Sequence, residues 1–205
     1  MKTSQNLVSV EQFSNQDVMA YLKLAQAFKN GKTVQLSQPT FAMNLFFENS
    51  TRTHTSFEMA ERRLGLQVIP FDPKTSSVTK GESLLDTLKT IEAIGVNLAV
   101  VRHPRDRYYQ PLLDAGFDMS LINAGDGSGQ HPSQSLLDML TIYEEFGHFD
   151  GLKIAIVGDL THSRVDRSNM ALLKKQGVQV SFGGSQDLFG CEFEAYGEIR
   201  TMDRA

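Results

Sequence analysis

A run of hydroxyl and cationic side chains, Ser50, Thr51, Arg52 and Thr53, follows directly on an apolar stretch at residues 41–47. If the run opens a helix, its backbone N–H groups, three hydroxyls and one guanidinium surround the helix start. These groups donate to phosphate oxygens, and the helix dipole favours negative charge. The run therefore predicts an anion site suited to phosphate. The alternative is that Ser50 only caps the helix and Arg52 is a solvated surface charge.

Further polar residues stand where two other apolar runs end. Arg102 ends residues 97–102, and His131 and Gln134 follow residues 119–123. Judged alone, Arg102 is equally well a surface residue, and His131 a helix cap or a buried neutral histidine. In an open parallel sheet, however, ligands bind at the carboxyl ends of the strands. The coincidence at three strand ends favours one binding site.

The elements that must position these residues are visible in the hydrophobic pattern. Short apolar runs ending in polar residues or glycine predict strands at residues 41–47, 66–71, 97–102, 119–123, 153–159 and 178–184. Helical patterns lie between them, most of them ending at a glycine, and a capping box at Ser14 and Asp17 predicts a first helix. Alternating helices and nearly continuous apolar strands predict an α/β fold with open parallel sheets and helices on both faces.

The best candidate for a domain boundary is the stretch 144–153, where a long helix ends in two glycines and a charged turn. We predict a complete first domain over residues 1–148 and the start of a second domain over residues 149–205. Only two strands and one helix are predicted beyond the boundary, and two strands are too few to close a core. The second domain is therefore expected to be incomplete.

The composition argues against several classes of protein. The chain has 205 residues, 40% hydrophobic and 21% charged, with a net charge of −4, which disfavours nucleic acid as the main partner. It contains no apolar stretch of signal-peptide or membrane-spanning length. Its one cysteine, Cys191, and the lack of Cys/His metal spacing indicate a reducing cytoplasm. Residues 156–163 lack both glycine-rich nucleotide motifs. We expect a cytoplasmic protein with no membrane contact, metal or cofactor.

Five segments, taken together and in this order, resemble the catalytic chain of aspartate carbamoyltransferase, in the aspartate/ornithine carbamoyltransferase superfamily. They are FENSTRTH (47–54), KGESLLDT (80–87), VRHP (101–104), NAGDGSGQHPSQSLLD (123–138) and IVGDLTHSRVDRSN (156–169). STRT and HPSQ are shared with ornithine carbamoyltransferase, whereas the KGES lysine and GDGSGQHP look specific to the aspartate enzyme. The resemblance covers the whole chain but about two thirds of the roughly 300 residues of a complete member. We therefore expect a chain truncated at its C-terminus.

The resemblance implies transfer of the carbamoyl group of carbamoyl phosphate to the amino group of L-aspartate. The products are N-carbamoyl-L-aspartate and phosphate, in de novo pyrimidine biosynthesis, and no cofactor or covalent enzyme intermediate is needed. The residues implied for carbamoyl phosphate are Ser50, Thr51, Arg52, Thr53, Arg102, His131 and Gln134. Thr53, Arg102 and His131 are implied at the carbonyl oxygen, where fixed donors stabilise a developing oxyanion. Gln134 is implied to bind the amide.

For aspartate, the family's pattern implies two residues. Arg164 binds a carboxylate of aspartate. Lys80 lies on a loop expected to be mobile and contributes to the site of the neighbouring subunit in a homotrimer. The implied catalytic residues are thus Thr53, Arg102, His131 and Lys80. A regulatory subunit or a dihydroorotase is a further partner that the resemblance allows.

Two residues depart from the family's pattern. His54 stands where many relatives carry arginine, which is expected to weaken a charge near the phosphate or a subunit contact without removing the main ligands. Asp166 stands two places after Arg164, where a small residue is usual. The Asp166 carboxylate is expected to compete for the guanidinium or to repel aspartate. Two alternative functions remain open. An ornithine carbamoyltransferase-like enzyme is disfavoured by Lys80, and a non-catalytic phosphate-binding or assembly fragment is favoured by the short C-terminus.

Overall fold

The structure, a computed structural model, describes residues 6–76, 81–158, 160, 163–184 and 196–201. Lys80 and Cys191 lie outside the described residues. Contacts divide the chain into two units, each of which is described by itself. Unit 1 is Met1–Val8 with Gly31–Gly127, and unit 2 is Ser9–Asn30 with Ser128–Ala205. The predicted domain boundary at residue 148 stays a prediction.

The described residues form six α-helices, seven strands and one short 3-10 turn at Val10–Gln12. The helices are α1 (Asn15–Lys29), α2 (Thr51–Arg63), α3 (Leu84–Ala93), α4 (Gln110–Ala115), α5 (Pro132–Phe146) and α6 (Arg164–Lys175). The strands are β1 (Phe41–Phe46), β2 (Gln67–Ile69), β3 (Leu98–His103), β4 (Ser120–Asp126), β5 (Lys153–Val157), β6 (Gln179–Gly184) and β7 (Gly197–Thr201).

Unit 1 is built on a parallel sheet of strand order β2-β1-β3-β4. Strand β1 is buried along most of its length and β3 along its middle, as expected for central strands of a parallel sheet. A core that includes Leu45, Leu88 and Val101 packs between the sheet and its helices. Because β1 and β3 are neighbours and parallel, their carboxyl ends lie side by side at one edge of the sheet.

Unit 2 contains the parallel sheet β5-β6-β7 and the helices α1, α5 and α6. The capping box predicted at Ser14 is present at the start of α1. Helix α5 begins at Pro132 and ends before Gly147, whose φ of 75° is the left-handed conformation that glycine allows. Lys175, the last residue of α6, donates to three backbone carbonyls of residues 10–13. Local signals thus mark the start of α1 and the end of α5, whereas Lys175 joins the end of α6 to a distant part of the chain.

The predicted α/β fold class with parallel sheets is confirmed, and every predicted strand is present within a few residues of its expected limits. Two elements were not predicted. Helix α4 is only six residues long and has no capping side chain, and β7 has the polar sequence GEIRT. The prediction of two strands in the second sheet was wrong, because β7 pairs with β6. No helix in the described part of the chain is long and apolar enough to cross a membrane.

Candidate functional site

The predicted anion residues lie where β1 gives way to α2. Ser50 is the N-cap residue of α2, and its hydroxyl makes no capping hydrogen bond. The N–H of His54 donates to the Ser50 carbonyl at 3.1 Å, which is the first hydrogen bond of the helix. The N–H groups of Thr51, Arg52 and Thr53 precede it, so no helical carbonyl accepts from them. The first turn of α2 contains no acidic residue. The helix start can therefore donate to an anion.

The Arg52 side chain adds positive charge to this helix start. Thr51 and Arg52 are exposed, and Thr53 is half-buried. The Arg52 guanidinium makes no ion pair within the described ranges of the chain. Its charge is thus available to a ligand.

Arg102 lies beside this helix start because β1 and β3 are adjacent. Phe46 is the register partner of Arg102, and the N–H of Phe47 donates to the Arg102 carbonyl at 2.9 Å. The Arg102 side chain is only 12% exposed, and its Nε lies 3.2 Å from Oε2 of Glu48. Its Nη1 donates to the Ala124 carbonyl at 3.4 Å. Arg102 thus connects the ends of β1, β3 and β4.

Glu48 is a residue of this site that the sequence interpretation missed. Its carboxylate neutralises part of the Arg102 charge, and an anion at the same place competes with it. The signal was present in the sequence, because Glu48 is the one acid in the segment FENSTRTH. An acid beside a predicted phosphate site indicates a partner for a nearby cation.

A buried network shapes the end of β4. The Asp126 carboxylate is fully buried and accepts from the backbone N–H of Arg107 at 2.6 Å and from Asn123 Nδ2 at 2.9 Å. Arg107 has a φ of 51°, a left-handed conformation that the Asp126 contact holds. The β3–β4 pairing shifts register at this point. The network therefore fixes the backbone around Ala124, whose carbonyl accepts from Arg102.

Glycine is required next to this network. Gly127 has a φ of 40°, and a Cβ atom there would meet the Asp106 carboxylate and the Pro104 carbonyl oxygen, the latter at 2.7 Å. The Gly127 N–H donates to the His103 carbonyl at 2.9 Å.

Burial lowers the pKa of His103, and the Arg105 charge lowers it further. His103 Nδ1 accepts from the Arg105 backbone N–H, so this ring orders the loop as a neutral acceptor.

His54 has a packing role in the structure. Its ring lies edge to face with Phe46, with 4.9 Å between the ring centroids, and its Nδ1 is 3.9 Å from Glu58 Oε2. The ring therefore covers the end of β1. The expected weakening of a charge near the phosphate or of a subunit contact stays a prediction.

In unit 2, His131 is the N-cap residue of α5 and is buried. Its backbone N–H donates to Ser168 Oγ at 3.0 Å, and the Ser168 hydroxyl donates to the Arg164 carbonyl at 2.9 Å. The ring atom Nδ1 is 3.3 Å from Ser133 Oγ. The N-terminal part of α6, which includes both Arg164 and Ser168, therefore positions His131.

Gln134 is held by a second set of hydrogen bonds in unit 2. Its Nε2 donates to Asp138 Oδ1 at 3.0 Å, and Asn169 Nδ2 donates to Asp138 Oδ2 at 2.7 Å. Because the amide nitrogen is engaged, the Gln134 oxygen is the atom left to accept from a ligand N–H. Amide binding by Gln134 stays a prediction.

Asp166 contributes to the start of α6. Its N–H donates to the hydroxyl of the N-cap residue Ser163 at 3.2 Å, and its carboxylate is the acid of the first turn. An acid at this position is favourable with the helix dipole. Asp166 therefore has a local reason to be present, and its predicted effect on aspartate affinity stays a prediction.

The candidate residues fall into two groups. The anion group in unit 1 consists of Ser50, Thr51, Arg52, Thr53 and Arg102, and the amide group in unit 2 consists of His131, Gln134 and Arg164. Adjacent strand ends bring the anion group together. The first turns of α5 and α6 bring the amide group together.

Comparisons with known proteins give the family. The model of the aspartate/ornithine carbamoyltransferase carbamoyl-P binding domain matches residues 5–144. The chain is 92% identical over 204 residues to the aspartate carbamoyltransferase catalytic subunit of Lactiplantibacillus plantarum, covering 100% of this chain and 66% of that relative. It is 61% identical over 198 residues to the same subunit of Pediococcus pentosaceus, covering 97% and 64%. The chain thus spans slightly less than two thirds of these relatives.

Comparison with solved structures gives the same family as the sequence comparisons. Aspartate transcarbamoylase from Trypanosoma cruzi in complex with aspartate and phosphate is 33% identical, with a TM-score of 0.85. That match covers 98% of this chain and 69% of the other. The complex of the same enzyme with N-(phosphonacetyl)-L-aspartic acid is 34% identical, with a TM-score of 0.81 and coverages of 98% and 67%. The resemblance predicted from the sequence is confirmed, and the chain belongs to the aspartate/ornithine carbamoyltransferase family.

Proposed function

We propose that the protein works as an aspartate carbamoyltransferase catalytic chain, which makes N-carbamoyl-L-aspartate and phosphate from carbamoyl phosphate and L-aspartate. The observation that carries the proposal is the anion group at the adjacent carboxyl ends of β1 and β3. Residues 1–148 serve as the carbamoyl-phosphate domain and residues 149–205 as part of the aspartate domain. The match of the carbamoyl-P domain model to residues 5–144 supports this division.

The phosphate of carbamoyl phosphate binds at the start of α2. The N–H groups of the first turn and the hydroxyls of Ser50, Thr51 and Thr53 donate to its oxygens, and Arg52 adds a charge-assisted contact. Carbamoyl phosphate and phosphate are ligands of the Trypanosoma cruzi relative, which supports this assignment.

The reaction needs donors at the carbonyl oxygen. The aspartate amine attacks the carbonyl carbon and the C–N bond forms. The tetrahedral intermediate then collapses as phosphate leaves with the electron pair of the broken C–O bond and accepts the amine proton. The oxygen gains negative charge in the tetrahedral intermediate, where Thr53, Arg102 and His131 stabilise it. Gln134 accepts from the carbamoyl N–H group. Orientation and charge stabilisation carry the catalysis, without a covalent enzyme intermediate.

Aspartate binds through Arg164 of the same chain and Lys80 of a neighbouring chain. A site built from two chains requires an oligomer, and on the family's pattern this oligomer is a homotrimer with shared sites. A single cysteine and the biosynthetic reaction fit a cytoplasmic protein in the pyrimidine pathway.

We expect little or no transfer by the 205-residue chain alone. The test is therefore a transfer assay of the chain completed with its second domain, with labelled carbamoyl phosphate and either L-aspartate or L-ornithine, together with calorimetry of carbamoyl phosphate binding. Label in N-carbamoyl-L-aspartate supports the proposal. Transfer to ornithine alone identifies the ornithine-specific alternative. Binding without transfer to either amino acid supports a phosphate-binding role, and a folded protein that binds no carbamoyl phosphate contradicts the proposal.

Subunit mixing tests the shared site. In a chain completed with its second domain, Lys80→Ala and His131→Ala subunits should each be nearly inactive, and a mixed trimer should contain one site with both residues intact. Equal amounts, unfolded and refolded together, give about three quarters mixed trimers, so activity should approach about a quarter of wild type. Mixed trimers that stay inactive would show that Lys80 serves its own subunit.

A further inference from the structure

Asn44 in β1 and Glu61 in α2 form a buried polar pair that the proposed reaction does not use. Each residue is only 3% exposed. Asn44 Nδ2 donates to Glu61 Oε2 at 2.8 Å, so the pair joins the central strand to the helix whose first turn carries the anion group.

The other oxygen of each side chain lacks a donor. Asn44 Oδ1 and Glu61 Oε1 are both buried, and neither has a hydrogen-bond partner within the described residues. An ionised carboxylate and an amide oxygen can only accept, so they cannot pair with one another. One proton on Glu61 removes this conflict, because a carboxylic acid donates through its O–H group. Native proteins leave few buried polar atoms unpaired, which favours the protonated form.

Among the described residues, no cation forms an ion pair with Glu61. Strands β1 and β2, which pack against α2, have the sequences FAMNLF and QVI and contain no ionisable side chain. On α2 itself, Arg62 donates to Glu58 Oε1 from Nε at 3.0 Å and from Nη2 at 2.7 Å. The charge of Arg62 is thus already shared with Glu58.

The pKa of Glu61 agrees with this geometry. Burial raises it above the ordinary value of 4.5, and the negative charge of Glu58 raises it further. The hydrogen bond from Asn44 and the charge of Arg62 act in the opposite direction, but the net shift is upward. Charge and burial therefore both favour the neutral acid.

We propose that Glu61 is a neutral carboxylic acid in the folded protein at neutral pH and shares its proton with the Asn44 carboxamide. Acid and amide then hold each other through two hydrogen bonds, Asn44 Nδ2 to Glu61 Oε2 and the Glu61 hydroxyl to Asn44 Oδ1. The pair fixes α2 against β1 about 15 Å from the start of the helix. A small tilt at the pair moves the first turn, so Glu61 is a positioning residue for the anion group. This last step rests on the proposed function.

The direct test is carbon NMR of protein labelled at the glutamate carboxyl carbon. At pH 7, one signal should have the shift of a protonated acid, and Glu61→Gln should remove it. Glu145→Gln, a change at an exposed glutamate, should leave that signal in place. If every glutamate signal at pH 7 has the shift of a carboxylate, the proposal is wrong.

Unfolding at different pH values gives a second test. A group with a raised folded pKa contributes its full stability below the unfolded pKa and loses it as pH rises through the folded pKa. Wild type should therefore lose stability relative to Glu61→Gln above pH 4.5, by at most about tenfold in the folding constant per pH unit. Glutamine is always neutral and can make both hydrogen bonds with Asn44. Parallel stability curves for the two proteins would contradict the proposal.

Phosphate binding tests the positioning role. Glu61→Gln should bind inorganic phosphate as wild type does, whereas Glu61→Ala, which leaves Asn44 unpaired, should bind it several-fold more weakly. Equal affinity in all three proteins would overturn the positioning role. If wild type binds no phosphate, the proposed function fails, and the carbon signal still decides whether Glu61 is neutral.

Discussion

In unit 1 the first turn of α2, with residues 50–53 of the anion group, is placed by the backbone, whereas in unit 2 His131 and Gln134 are held by hydrogen bonds to side chains. Ser50 makes no capping bond, and the Arg52 side chain is exposed. His131 is fixed through Ser168, and Gln134 is fixed through Asp138. The start of α2 in unit 1 therefore leaves N–H donors that a ligand can occupy. In unit 2 the hydrogen bonds orient His131 and Gln134 before a ligand binds. Changes in unit 1 should therefore alter anion affinity, and changes in unit 2 should alter turnover.

The largest expected effect separates the two groups most clearly. His131→Ala removes one donor to the developing oxyanion and should lower kcat by about 100-fold to 1,000-fold. Inorganic phosphate affinity should stay within twofold of wild type, because the anion group is intact. Steady-state kinetics and calorimetry measure the two quantities. A large loss of phosphate affinity in His131→Ala would show that the amide group also contributes to anion binding.

Arg52→Ala should show the opposite pattern. Loss of a charge-assisted hydrogen bond should weaken phosphate binding by about 1.5 to 3 kcal/mol. Arg63→Ala, at the exposed C-terminal end of the same helix, is the matched control and should change affinity little. Calorimetry measures both variants. An unchanged affinity in Arg52→Ala would mean that the helix start and its hydroxyls suffice.

Ser168→Ala tests the support beneath His131. The change removes the acceptor of the His131 N–H and should destabilise the protein by about 1 to 3 kcal/mol. Ser56→Ala is the control, because the exposed Ser56 hydroxyl also donates to a carbonyl one helical turn earlier, that of Arg52. Denaturant unfolding compares the two variants. Equal stabilities would show that the His131 N–H does not depend on Ser168.

The smallest expected effect concerns Glu48. Glu48→Gln removes a carboxylate that competes for Arg102 and should tighten phosphate binding by about 0.2 to 1 kcal/mol. The benefit should shrink at high salt, because salt screens the repulsion between Glu48 and phosphate. Calorimetry at two salt concentrations measures this. Weaker binding in the variant would indicate that Glu48 positions Arg102 for the ligand.

The sequence predicted elements with a strong local pattern. Apolar runs marked the six strands, and Ser14 marked the start of α1. Helix α4 was missed because its six residues make fewer than two turns, too few to show a repeating helical pattern. Strand β7 was missed because GEIRT has no apolar run. The assignment of α1 to unit 2 depends on packing between distant segments, which periodicity does not encode.

The site shows the same limit. Residues at strand ends, such as Arg52 and Arg102, were visible from residue type and position. Ser168 was missed because it supports His131 from 37 positions away in the chain. Asp126 was missed because its role depends on burial and on one backbone N–H of a neighbouring loop. Side chains that hold the site, rather than line it, need the tertiary structure to be recognised.

The segment around Leu7 has a practical consequence for protein engineering. Leu7 pairs with Ile122 in parallel, its N–H donates to the Leu121 carbonyl, and its own carbonyl accepts from Asn123. It therefore covers the outer side of β4, which would otherwise present unpaired backbone groups to other chains. Deleting residues 6–8 should favour edge-to-edge aggregation. A purification tag joined through a linker that leaves these residues intact should not.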